Sequence, residues 1–214
     1  MLSRGVRVEM GGDSCRVIPL QCELGRESAL ALESDAIRAS WGPYRDAHVR
    51  GLEVCLDAIQ PLARTVIRRR LWAAHLLVEA LTVGKVDLFE SLVAYSEAGV
   101  RVLFPPVLEE TIEGTFLVMD GMHRILAVRE RRREKIFALA VRSPGLPPPP
   151  LMPCRWEDVQ QVDQKPSSNV NFPGYKPHLF RATASHLDGN GGPFDALGFA
   201  VASLAMPSTK YEHG

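Results

Sequence analysis

An α+β fold is what this sequence predicts, and three observations carry the prediction. The first is a strand–turn–helix pattern at Thr115–Lys135, T-F-L-V-M-D-G-M-H-R-I-L-A-V-R-E-R-R-R-E-K. The second is the stretch over 83–142, which reads as helix, strand, turn, strand, helix, strand: a small mixed unit with its key turn at a strand–helix junction. The third is the helical composition of most of the first eighty or so residues. Three segments follow. They are a mainly helical N-terminal extension over 1–82, a mixed core over 83–142, and a proline-rich connector with a C-terminal segment that folds back on the core over 143–214.

Composition sets the broad class. Of the 214 residues, 46% are hydrophobic and 23% charged, which suits a globular chain with a proper core. Basic and acidic side chains number 25 each, so no overall field draws the molecule to nucleic acid or to an anionic membrane. Cys15, Cys22, Cys55 and Cys154 lie far apart without zinc-type spacing, as expected of reduced thiols in a cytoplasmic protein. Met1–Gly12 lacks the apolar run of a signal peptide, and no window approaches a membrane span.

Taken in order, Met1–Gly12 reads as frayed, and C-R-V-I-P-L from Cys15 as a short strand ended by Pro19. Glu23–Ser40 reads as a helix, broken at Trp41–Tyr44. A second helix is expected over Arg45–Ile59 and a third over Leu62–Leu81. The third is apolar nearly all round, as in a buried helix, and carries His75 and Glu79 four apart on one face. Arg68-Arg69-Arg70 points three ways around that helix and reads as its solvated start. An amphipathic helix is expected over Asp87–Glu97, with Gly99 closing it. Val100–Leu108 reads as a strand interrupted by Pro105 and Pro106, and Glu109–Gly114 as a turn.

The central motif comes next. Phe116–Met119 makes a short buried strand, and Asp120 and Gly121 break it. Asp120 is a good N-cap, Gly121 permits a tight turn, and a helix follows with Ile125, Leu126 and Val128 inward. His123 and Arg124 fall in the first helical turn, where free N–H groups and the positive dipole end favour an anion. Arg124 adds a phosphate-matching fork and His123 a donor able to carry a proton. The basic run Arg129–Lys135 sits near a helix C-terminus, which suits the dipole. K-I-F-A-L-A-V reads as the last core strand. Ser143–Pro153 is a stiff extended connector, followed by a short helix over Arg155–Val162. Phe172, Tyr175, Phe180 and Leu187 anchor the later segment, and the end of the chain is polar and frayed.

V-M-D-G-M-H-R-I-L-A resembles the signature of the ParB/sulfiredoxin superfamily, and most closely its free serine kinase branch. The resemblance extends over about 83–142 and is specific at D-G-M-H-R. It implies a small ParB/sulfiredoxin-like mixed sheet whose turn holds nucleotide phosphates, with Gly121, Met122, His123 and Arg124 as the binding residues. It further implies ATP, ADP or CTP as ligand, Mg²⁺ at Asp120, and a small hydroxyl-bearing acceptor such as serine. Asp120 and His123 would be catalytic. Glu79 stands near the position of the kinases' catalytic glutamate, though offset and without its neighbouring histidine. In H-L-F-R-A-T, Arg181 is weakly similar to a basic residue that returns to the nucleotide.

Met122 occupies the place of sulfiredoxin's nucleophilic cysteine, which argues strongly against sulfinate reduction. Chromosome partitioning needs a following DNA-binding domain, which the proline-rich region does not supply. Two readings stay open. One is a nucleotide-dependent small-molecule kinase. The other is a non-catalytic nucleotide-sensing module, with the N-terminal helices contacting a second copy or a protein partner.

Overall fold

The computed structural model describes residues 4–11, 14–21, 34–35, 37–38, 44–83, 92–96, 99–103, 105–142, 154–172 and 174. The chain opens on an antiparallel hairpin of β1 (Arg4–Gly11) and β2 (Ser14–Gln21), with Arg4 opposite Gln21 and Gly11 opposite Ser14. Of the start expected to be frayed, 1–12, residues 4–11 are thus a strand. Its Val6, Val8 and Met10 alternate with Arg7 and Glu9 at the two-residue strand period. Pro19 does not end β2 but pairs with Val6 inside it. Because β2 lies at a sheet edge, a proline there need not cost a ladder bond.

The helix expected over Arg45–Ile59 is absent. In its place stand β3 (His48–Cys55), a 3-10 turn at Leu56–Ala58, and β4 (Ile59–Gln60). Gly51 weakens a helix here, and β3 pairs along its whole length with a distant strand. The third expected helix begins later. First comes β5 (Thr65–Ile67), then α1 (Arg68–Val83), whose Arg68, Arg69 and Arg70 are exposed as a solvated start should be.

Further on, β6 (Leu92–Ser96) stands where the amphipathic helix over Asp87–Glu97 was expected; residues 87–91 lie outside the described set. Leu92, Val93 and Tyr95 fit a half-buried pleat as well as a helix face, and pairing decides between them. Gly99 opens β7 (Gly99–Leu103) instead of capping a helix. The single strand expected over Val100–Leu108 is two, because β8 (Val107–Glu110) joins a different sheet after Pro105 and Pro106. There follow β9 (Phe116–Asp120), α2 (Met122–Glu130), β10 (Lys135–Arg142), β11 (Gln160–Val162) and the short α3 (Ser168–Asn171). A 3-10 turn at Trp156–Asp158 and then β11 replace the short helix expected over Arg155–Val162.

One sheet has the order β2-β1-β6-β7 and a second the order β3-β10-β8-β9-β4, while β5 and β11 pair in parallel as a third. The five-stranded sheet is mixed. β10 is antiparallel to β3 and parallel to β8, whereas β9 is antiparallel to β8 and parallel to β4. Its outer strands β3 and β4 come from the segment expected to be a separate helical extension.

Both faces of this sheet are buried, which explains the near-continuous apolar run of β10. Ile136, Ala138 and Ala140 face one core with Ile125, Leu126 and Val128 of α2 and with Leu71, Ala74 and Val78 of α1. Small alanines on that face leave room for α2 to lie close. Leu139 and Val141 face a second core with Ile37, Tyr44, Leu62, Met119 and Phe172. Tyr44 and Ile37 are fully buried there.

Candidate functional site

Strand β9 ends at Asp120, and the chain enters α2 through Gly121 with φ 88° and ψ 16°. This is left-handed backbone, natural to glycine and strained for any residue with a Cβ. A Cβ on Gly121 would also lie 2.9 Å from Pro106 Cβ and 3.1 Å from Pro106 Cα. Conformation and packing therefore each require glycine. The Gly121 carbonyl accepts the first helical bond from Ile125 N–H at 2.9 Å.

Gly121 is itself the N-cap, so Asp120, expected as the cap, stands one residue before it. The reason is that Asp120 is still paired in the sheet, opposite Val107 at a ladder irregularity. Its carboxylate faces Arg124, whose Nη2 donates to Asp120 Oδ2 at 3.3 Å. The Arg124 side chain is only 15% exposed. Burial pushes its pKa below the usual guanidinium range, and the facing Asp120 carboxylate offsets only part of that. The turn thus holds a guanidinium drawn out of water beside a carboxylate.

His123 occupies the first helical turn but has another task. Its Nε2 accepts from Ile67 N–H at 3.0 Å. Ile67 immediately precedes α1, whose first N–H groups lack partners within the helix. An accepting nitrogen carries no proton, so in this arrangement the ring is protonated on Nδ1. Nε2 is a strut between β5 and the start of α2, and it cannot donate to a phosphate while it plays that part. Met122 is 8% exposed and its side chain belongs to the core beside α1. Only its backbone can face a ligand.

Glu79 is not brought to this turn. It is exposed on α1 and accepts from Arg131 Nη2 at 3.1 Å. Arg131 follows the last residue of α2, about 12 Å along the helix from His123. His75 goes the same way, with Nε2 2.6 Å from Glu130 Oε2. The His75–Glu79 face therefore clasps the C-terminal end of α2 and leaves its N-terminal end alone. Arg181 lies outside the described residues, as do 175–187, where the other expected aromatic anchors fall. Phe172 is the last of those anchors described, and it is buried in the second core.

Some polar features escaped the sequence reading. Tyr44 Oη donates to Glu109 Oε2 at 2.8 Å in the second core, and Glu109 is 4% exposed. Glu109 reads as a turn residue by type, and only its neighbours Val107 and Leu108 hint at a strand. Pro106, which walls the glycine turn, carries no signal of that role beyond its rigidity. Among the described residues no group of three or more His, Cys, Asp or Glu side chains could hold a metal ion, and no helix is long and apolar enough to cross a membrane. Comparison with protein-family models, with curated proteins and with solved structures gave no match.

Proposed function

We propose that the Asp120–Arg124 turn binds the phosphate of a nucleotide, and that the protein is a nucleotide-binding module. The supporting observation is Arg124, held out of water at the start of α2 beside Asp120. A phosphate there would meet the guanidinium fork and the N-terminal dipole of the helix together. Gly121 supplies the left-handed backbone that turns the chain from β9 into the helix there.

Of the two open readings, sensing is favoured over phosphoryl transfer. A kinase needs a base within reach of the acceptor hydroxyl. Glu79 is engaged with Arg131 at the other end of α2, and Glu109 is buried against Tyr44. Asp120 is at the turn, and it faces Arg124. Mg²⁺ would take Asp120 as a single ligand and draw the rest from phosphate and water, as Mg²⁺ commonly does. A nucleotide ligand implies a cytoplasmic setting, with which the free thiols Cys55 and Cys154 agree.

Titration of ATP, ADP and CTP into wild type and Arg124→Ala tests the proposal. The Arg124→Ala protein should bind at least ~10-fold more weakly, the loss of one charge-assisted bond. Arg124→Lys keeps the charge and should retain part of the affinity, which guards against a folding defect. Equal affinity in all three, or no binding to wild type, refutes the site. Formation of phosphoserine from ATP and serine would restore the kinase reading.

A further inference from the structure

The other end of α2 carries a second, separate feature. A cleft of about 430 Å³ opens between the 3-10 turn after β3 and the loop into β10. Arg129, Arg132, Arg133 and Lys135 line it, against the carboxylates of Asp57 and Glu134. Arg129 is accounted for. It donates to Leu56 O at 3.0 Å, lies 3.4 Å from Asp57 Oδ1, and sits 5.3 Å over the Trp156 ring. Arg132, Arg133 and Lys135 are exposed and have no ion-pair partner among the described residues.

The helix dipole does not explain so many cations. It amounts to roughly half a charge at the C-terminus. Part of it is already masked, because Arg132 N–H donates to Arg129 O at 2.8 Å and Arg133 N–H to Val128 O at 3.4 Å. Those two bonds make a Schellman closure, whose left-handed position normally falls to glycine. Here it falls to Arg132, with φ 55°. The chain thus keeps an arginine where its backbone favours glycine, and that arginine lines the cleft. The walls are fixed as well, since Leu56 N–H donates to Glu134 O at 2.9 Å. The backbone that carries the cations is therefore held in place before a ligand arrives.

We infer that this cleft binds a small molecule bearing two or more phosphate groups. Its volume falls in the range of about 300–1,000 Å³ typical of small-ligand sites. Three cations without an ion-pair partner among the described residues, in one concavity, match more than one phosphate. Nucleic acid is the less favoured partner: the whole chain is neutral, and the cations gather in a single hollow without forming a stripe.

Inorganic pyrophosphate is the probe, titrated calorimetrically against wild type, Arg132→Gly, Arg133→Gln and Arg124→Ala. Wild type should bind pyrophosphate at least ~10-fold more tightly than orthophosphate. Arg132→Gly and Arg133→Gln should each weaken it roughly tenfold. Arg132→Gly should at the same time keep or raise the melting temperature, by up to about 4 °C, because glycine suits that backbone. Affinity lost in a variant of undiminished stability cannot be ascribed to unfolding. In an Arg124→Ala background, which removes the nucleotide turn, Arg132→Gly and Arg133→Gln should still weaken pyrophosphate binding, so the cleft stands or falls independently of that turn. The inference is overturned if wild type does not bind, if only Arg124→Ala weakens binding, or if a single-stranded oligonucleotide displaces pyrophosphate at lower concentration than orthophosphate does.

Discussion

Gly121 shows how much one residue can fix. Alanine there would adopt a left-handed backbone and press into Pro106, so Gly121→Ala should cost about 2–4 kcal/mol. Urea denaturation should show a lower midpoint with an unchanged slope. Cys154 offers a second residue-scale test. Burial raises its thiol pKa, with Asp158 adding to the rise and Arg64 opposing it. The unfolded thiol therefore releases its proton first, at roughly pH 8.5. The contribution of Cys154 to stability is complete below that pH and is lost as pH rises through the higher folded value. Denaturation midpoints of wild type should fall more steeply above pH 9 than those of Cys154→Ser.

Among the elements, α3 acts mainly through one side chain. Asn171 is buried, its Oδ1 accepts from Thr65 N–H at 3.1 Å and from Thr65 Oγ1 at 2.6 Å, and its carbonyl accepts from Arg64 N–H at 2.8 Å. It pins the start of β5 to the far end of the described chain. Asn171→Ala would strand the Thr65 N–H and should cost about 1–3 kcal/mol, measured by the shift of the thermal midpoint. The central elements were legible in the sequence because their signals are local: β9, the glycine turn, α2 and β10 follow from run length, Gly121 and apolar period. Strands β3 and β6 were not. Leu52, Leu56 and Ile59 fit a helix face about as well as Leu52 and Val54 fit one face of a pleat, and only the ladder to β10 decides for β3. The site was legible to the same degree. Asp120, Gly121 and Arg124 are together as the motif implies, but nothing local could show that His123 accepts from Ile67 or that Glu79 turns to Arg131.

At the scale of the whole molecule, the five-stranded sheet joins segments distant in sequence. Cys55 pairs with Lys135 and His48 with Arg142, β4 lies beside β9, and β5 lies beside β11. This has a consequence for the order of events during synthesis. When β3 and β4 leave the ribosome, neither partner strand exists, and the loop to be closed spans most of the domain. The sheet can be completed only after Arg142 has been made, and the β5–β11 pair only after Val162 has followed. Such a topology favours slow folding, with an apolar strand waiting unpaired and open to wrong partners in the interval.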